Sequence, residues 1–193
     1  MRPEVPVAPG GVGGDVGGPW RHLVLVGLMG SGKTQVARNA AGRLGWPVVD
    51  LDEVVAERAG APVAEVIATQ GEPAFRHLEV DALAATLAVP RPTVVATGGG
   101  VVTTAANRAV LTGPESCVVW LRAPVAELVG RLGGAAEIAR RPLLGNDPAQ
   151  ALERLAAERN DWYAEVADAV VDTAGVGITE VASRVLGVAG LVR

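Results

Sequence analysis

The sequence predicts a three-layer α/β fold in which helices cover both faces of a parallel sheet. Two observations carry this. Short apolar, β-branched runs alternate with longer segments of helical periodicity along most of the chain, the pattern of parallel strands joined by crossover helices. The first of these runs, Leu23-Val24-Leu25-Val26, passes directly into Gly27-Leu28-Met29-Gly30-Ser31-Gly32-Lys33-Thr34, which meets the pattern G-x-x-x-x-G-K-[ST] at every fixed position.

After this loop Val36, Ala37, Ala40, Ala41 and Leu44 recur at helical spacing, so the order is strand, glycine loop, helix. Backbone N–H groups and the positive end of the helix dipole then converge on one point suited to a polyphosphate. Gly30, Ser31, Gly32 and Gln35 are the expected cradle, Lys33 neutralises the β- and γ-phosphates, and Thr34 offers its hydroxyl to Mg²⁺. Lys33 is the only lysine in the chain, every other basic side chain being arginine. A compact ammonium stands where phosphates would sit, and planar guanidinium groups serve everywhere else. A glycine turn that binds nothing is the competing reading, which the strand and helix on either side disfavour.

At 193 residues the chain suits one domain with a real core. A formal charge of −4 argues against a protein that coats nucleic acid, while a local basic pocket for small anions remains open. Cys117 is the only cysteine, which excludes an internal disulfide or a thiolate cluster and fits the cytoplasm. No apolar run approaches the ~18 residues of a membrane span. Residues 1–19, rich in Gly and Pro, are expected to form a flexible tail outside a single domain spanning 20–193.

Pro47-Val48-Val49-Asp50-Leu51-Asp52 reads as the second strand, with Asp50 and Asp52 on one face at its C-terminal end. Ligands of open α/β sheets collect there. One carboxylate would reach Mg²⁺ through water and the other would orient a hydroxyl or take its proton. Helix caps are the alternative, since Glu53 follows.

Helices are expected around 53–59 and 63–70, then from Pro73. Arg76 and Glu79 are neighbours three apart on that last helix, so Glu79 either holds the guanidinium toward a ligand carboxylate or forms an ordinary surface ion pair. His77 is assigned to the helix surface. Thr93-Val94-Val95-Ala96-Thr97 is the third strand and ends in Gly98-Gly99-Gly100, bare backbone facing a ligand or a flexible turn. No acid ends this strand, which turns attention to Asp50 for the metal.

Cys117–Leu121 is a fourth strand, followed by a helix from Pro124 carrying Arg131. Residues 133–147, with Arg140-Arg141-Pro142 between glycines, suit a lid that brings positive charge over a transferring phosphate, a solvated charged loop being the alternative. A long helix from Pro148 carries Arg159 and Tyr163. A fifth strand, 168–172, and a helix over 179–188 complete the chain.

Together GLMGSGKT, the Asp50-Leu51-Asp52 end, Phe75-Arg76 with Glu79, the triple glycine, Arg141-Pro142-Leu143-Leu144 and Arg159 four before Tyr163 resemble the shikimate kinases from the first strand to the last helix. The resemblance implies an adenylate-kinase-like P-loop NTPase fold, a five-stranded sheet in the order 2-3-1-4-5, and γ-phosphoryl transfer from ATP to the 3-hydroxyl of shikimate. It implies that Thr34 and Asp50 serve Mg²⁺, that Lys33, Asp52 and Arg141 are catalytic, and that Arg76 and Arg159 clamp the substrate carboxylate. Glu79 would orient that site, Gly98, Gly99 and Gly100 would line it, and Arg131 and Arg141 would meet the nucleotide. A monomer is expected. The sequence departs from the family at Asp161, where proline is common, and after the last strand, where Thr173-Ala174-Gly175-Val176-Gly177 has no arginine for the adenine.

Overall fold

A computed structural model describes residues 20–133 and 147–191. The first strand, β1 (His22–Val26), is buried along its whole length because it lies at the centre of the sheet. It pairs in parallel with β3 (Thr93–Ala96) on one side and β4 (Ser116–Arg122) on the other. β2 (Val48–Asp50) and β5 (Ala169–Asp172) form the edges, giving the order β2-β3-β1-β4-β5 with every pairing parallel. This is the expected topology.

Side chains alternate between the two faces, as strand geometry requires. Leu23, Leu25, Val119 and Leu121 pack under α1 (Lys33–Leu44) and the C-terminal helix, while Val24, Val26, Val118 and Trp120 face the opposite layer. That opposite layer contains α2 (Leu51–Ala59), α3 (Val63–Gln70), α4 (Glu72–Leu87), α5 (Ala105–Leu111), α6 (Val125–Arg131) and α7 (Pro148–Val166). The closing helix, α8 (Ile178–Val188), lies beside α1. Gly45 ends α1 in a left-handed conformation, φ 68°, as a C-terminal glycine does.

One expectation needs correction. The second strand stops at Asp50, and Asp52 lies in the first turn of α2. Asp50 is the N-cap of that helix, its Oδ1 accepting from the Asp52 backbone N–H at 3.1 Å, so a cap geometry replaces the alternation of a strand. Residues 101–111, for which the sequence carries no clear periodicity, form a 3₁₀ turn (Val101–Thr103) and α5. The tail, the two C-terminal residues and all of 134–146, including Arg141 and most of the expected lid, lie outside the described residues.

His22 is wholly buried at the start of β1. Among the described residues neither ring nitrogen makes a hydrogen bond of good geometry, although the Leu87 and Val89 carbonyls lie nearby. Burial, chiefly, lowers its pKa below 6.5, and Arg21 adds to this while Glu115 opposes it. The folded state therefore keeps this ring neutral where the unfolded chain protonates it. The stability it confers is complete above about pH 6.5 and falls as the pH drops toward the folded-state value. Thermal melts between about pH 7.5 and 5.5 are expected to show a steeper loss of Tm in the wild type than in His22→Gln. Equal slopes would refute the assignment.

Candidate active site

The phosphate loop leaves the C-terminal end of β1 and enters α1 through Gly32, which sits at φ 90°, a conformation closed to most side chains. Lys33 is folded back into the loop, its Nζ donating to the Gly27 carbonyl at 2.8 Å and the Leu28 carbonyl at 2.9 Å. The Ser31 hydroxyl is buried without a hydrogen-bond partner among the described residues, as expected of a group awaiting a polar ligand. Thr34 Oγ1 donates to Asp50 Oδ2 at 2.7 Å. One carboxylate thus caps α2 with one oxygen and holds the loop threonine with the other.

A cleft of about 520 Å³ opens over this loop. At one end it reaches Asp50, Asp52, Thr97 and Gly99. At the other it reaches Arg131, Thr173 and the apolar Val176, Ile178 and Val181. Gln35 lies on its wall and is exposed. Thr97 stands where an acid often ends the third strand, and its hydroxyl donates to the Leu25 carbonyl at 2.9 Å.

The triple glycine is a junction, each residue pressed against a different part of the site. A Cβ on Gly98 would lie 2.8 Å from Asp52 Oδ1 and 2.9 Å from Glu79 Oε1. One on Gly100 would run into three atoms of the Arg76 guanidinium. One on Gly99 would stand 3.3 Å from the Met29 amide nitrogen, against the phosphate loop. Close approach, rather than turn flexibility, is what these positions require.

Around this junction the charged groups are largely withdrawn from water. Arg76 donates from Nη1 to Glu79 Oε2 at 2.8 Å and from Nη2 to Glu72 Oε1 at 2.7 Å. The Glu79 carboxylate is 1% exposed and its Oε1 makes no hydrogen bond among the described residues. Burial raises the Glu79 pKa against the opposing pull of Arg76, and the nearby charge of Asp52 raises it further. This is no surface ion pair. Arg159 is 3% exposed and donates from Nη1 to the Gly99 carbonyl at 3.1 Å. Asp161 is exposed on an uninterrupted α7, so the missing proline leaves Arg159 in place. His77 is on the helix surface, as expected.

Arg131 closes the other end of the cleft. Its guanidinium donates to the Thr173 hydroxyl at 2.8 Å, to the Thr173 carbonyl at 2.5 Å and to Glu127 at 2.7 Å. Glu127 in turn accepts from the Gly175 N–H at 3.1 Å. The segment after β5, which lacks an arginine of its own, is held by two side chains of α6.

Several contributors were not identified from sequence. Thr97, Thr173 and Glu127 look like ordinary surface or strand residues. Asn107 donates to the Val101 carbonyl at 3.0 Å and Arg108 to that of Val102 at 2.8 Å, bracing the turn that follows the triple glycine. The only available signal was polar residues inside a short apolar segment.

A glycine loop at a helix N-terminus, a hydroxyl–carboxylate pair beside it, and buried arginines across a shared glycine turn define a P-loop phosphotransferase acting on a small anionic acceptor. The chain belongs to the shikimate kinase family, whose model matches residues 29–189, and it is an ATP-dependent enzyme of that kind. It is 43% identical over 152 residues to the shikimate kinase of Oleidesulfovibrio alaskensis, covering 78% of this chain and 87% of that one. To that of Symbiobacterium thermophilum it is 42% identical over 166 residues, 86% of this chain and 94% of the other. The solved shikimate kinase of Acinetobacter baumannii in complex with shikimate superposes with a TM-score of 0.83 at 33% identity, over 88% of this chain and 93% of that one.

Because a methyl group on Gly100 would collide with the Arg76 guanidinium, Gly100→Ala is expected to raise KM for a carboxylate acceptor at least about tenfold. KM for ATP should be unchanged in steady-state kinetics. An equal rise in both would show general damage to the fold.

Proposed function

We propose that this protein transfers the γ-phosphoryl group of ATP to the 3-hydroxyl of shikimate, releasing ADP, with its residues in the following roles. The observation that carries the reading is the triple glycine, one turn pressed at Gly100 against the Arg76 guanidinium and at Gly99 against the phosphate loop. An acceptor with a carboxylate at one end and hydroxyls at the other fits between them.

The loop N–H groups and Lys33 hold the β- and γ-phosphates, Lys33 exchanging its contacts to Gly27 and Leu28 for phosphate oxygens. Thr34 and Asp50 are hard oxygen donors already 2.7 Å apart, a pairing that fits Mg²⁺ with water and phosphate completing its shell. When bound, the ion neutralises charge on the phosphates. Asp52 accepts the acceptor hydroxyl, orienting it and taking its proton as transfer proceeds. Arg76, braced by Glu79, and Arg159 clamp the carboxylate, and Gly98, Gly99 and Gly100 line the ring. Arg131 covers the adenine opposite Val176 and Ile178, standing in for the arginine missing after β5. For Arg141, the resemblance alone supports a lid role over both substrates. We further propose that the protein acts as a cytoplasmic monomer. No described helix is long and apolar enough to cross a membrane.

Gluconate kinases share the chemistry but have no use for paired arginines around a ring carboxylate. A non-catalytic ATP-binding regulator would have no need of Asp52. ADP release from Mg·ATP with shikimate, quinate, gluconate or no acceptor separates these readings, with Lys33→Ala as the blank. Turnover with shikimate and not gluconate, lost in the blank, is expected; gluconate turnover would replace the substrate assignment, and ATP binding without turnover would favour the regulator. Asp52→Asn should lower kcat on the order of 10²-fold or more with little change in shikimate KM. A rise in KM with kcat intact would reduce Asp52 to a binding group.

A further inference from the structure

We propose that Tyr163 is a positioning residue of the acceptor site, its hydroxyl fixing the Gly99–Gly100 peptide and thereby the spacing of Arg76 and Arg159. This inference rests on the proposed function, since it assumes that the two arginines take the acceptor's carboxylate.

Tyr163 lies one turn beyond Arg159 on α7 and is wholly buried. Its ring stacks on Trp120 with centroids 5.5 Å apart, which fixes where the hydroxyl points. That hydroxyl donates to the Gly99 carbonyl, the same oxygen that accepts from Arg159 Nη1. Two donors saturate the two lone pairs of the oxygen. Because a peptide unit is planar, anchoring this carbonyl also sets the Gly100 N–H and Cα. Against that Cα lies the Arg76 guanidinium, too close to admit a side chain. One peptide therefore stands between the two arginines, and Tyr163 holds it from the side of the sheet.

The second donor matters when the site fills. Arg159 Nε makes no hydrogen bond among the described residues and only a 3.6 Å approach to the half-exposed Glu158, so the guanidinium keeps a donor for an incoming carboxylate. As Nη1 leaves Gly99 to meet it, the carbonyl would lose half its support. The Tyr163 hydroxyl keeps it in place. Burial raises the phenol's pKa, so it remains a protonated donor at any working pH. Phenylalanine would fill the same space and stack equally well, which isolates the hydroxyl as the thing to test.

Steady-state kinetics on the full chain would compare wild type and Tyr163→Phe, using shikimate and its methyl ester as acceptors with Mg·ATP. The ester carries no charge for the arginines to grip. In Tyr163→Phe, KM for shikimate should rise about tenfold, the scale of one hydrogen bond, with KM for ATP unchanged. The preference for acid over ester should shrink by the same factor. Equal losses with acid and ester, unchanged kinetics, or a matching rise in KM for ATP would overturn the proposal. So would a variant that no longer melts cooperatively, which would make the hydroxyl a structural requirement. Failure of the wild type to phosphorylate shikimate would instead strike at the functional reading itself.

Discussion

Everything at the site follows from β1 and β3 running parallel and in register. His22 pairs with Thr93 and Leu25 with Ala96, so the two chains leave the sheet at the same level and side by side. One continues as the phosphate loop and the other as the triple glycine. With side chains on those turns the two would be kept apart. With bare backbone they touch, and the place where a nucleotide's phosphates would lie becomes contiguous with the place where an acceptor would lie. In-line transfer needs that adjacency, since most of its acceleration comes from placement and charge stabilisation.

The second constraint is electrostatic. Glu79 and Arg159 are almost fully withdrawn from water and Arg76 is mostly so, and burying charge is expensive unless each group finds a partner. Arg76 finds two glutamates on its own helix, whereas Arg159 reaches the Gly99 carbonyl, lies beside the Tyr163 hydroxyl and the Glu79 charge, and approaches Glu158 more loosely at 3.6 Å. The two arginines are thus unequal. One is a fixed part of the wall, and the other has donors to spare for an anion.

The strands, the glycine loop and the identities of most charged groups were legible in the sequence because each is encoded locally, whereas the strand order was legible only through the family resemblance. Periodicity gives the strands, and a fixed spacing gives the loop. Asp52 was placed wrongly because two residues after a short edge strand obey either a strand or a helix period, and a cap bond from Asp50 decided for the helix. Residues 101–111 escaped because their structure depends on Asn107 and Arg108 reaching back to carbonyls of the preceding turn. The Arg131–Thr173 contact joins residues far apart in sequence, and no local signal could announce it. Whether a glycine is needed for its flexibility or for the space it leaves was equally hidden. For Gly98 and Gly100 the structure answers space.

The solitary lysine has a chemical consequence. Lys33 is the only side-chain amine in the sequence, and it is 8% exposed at the heart of the phosphate loop. Reagents that acylate amines therefore find a single side-chain address, and it is shielded by the loop's own carbonyls. The rate at which that one amine reacts becomes a built-in gauge of how often the loop opens. A nucleotide occupying the cradle would register on the gauge directly, with no label introduced.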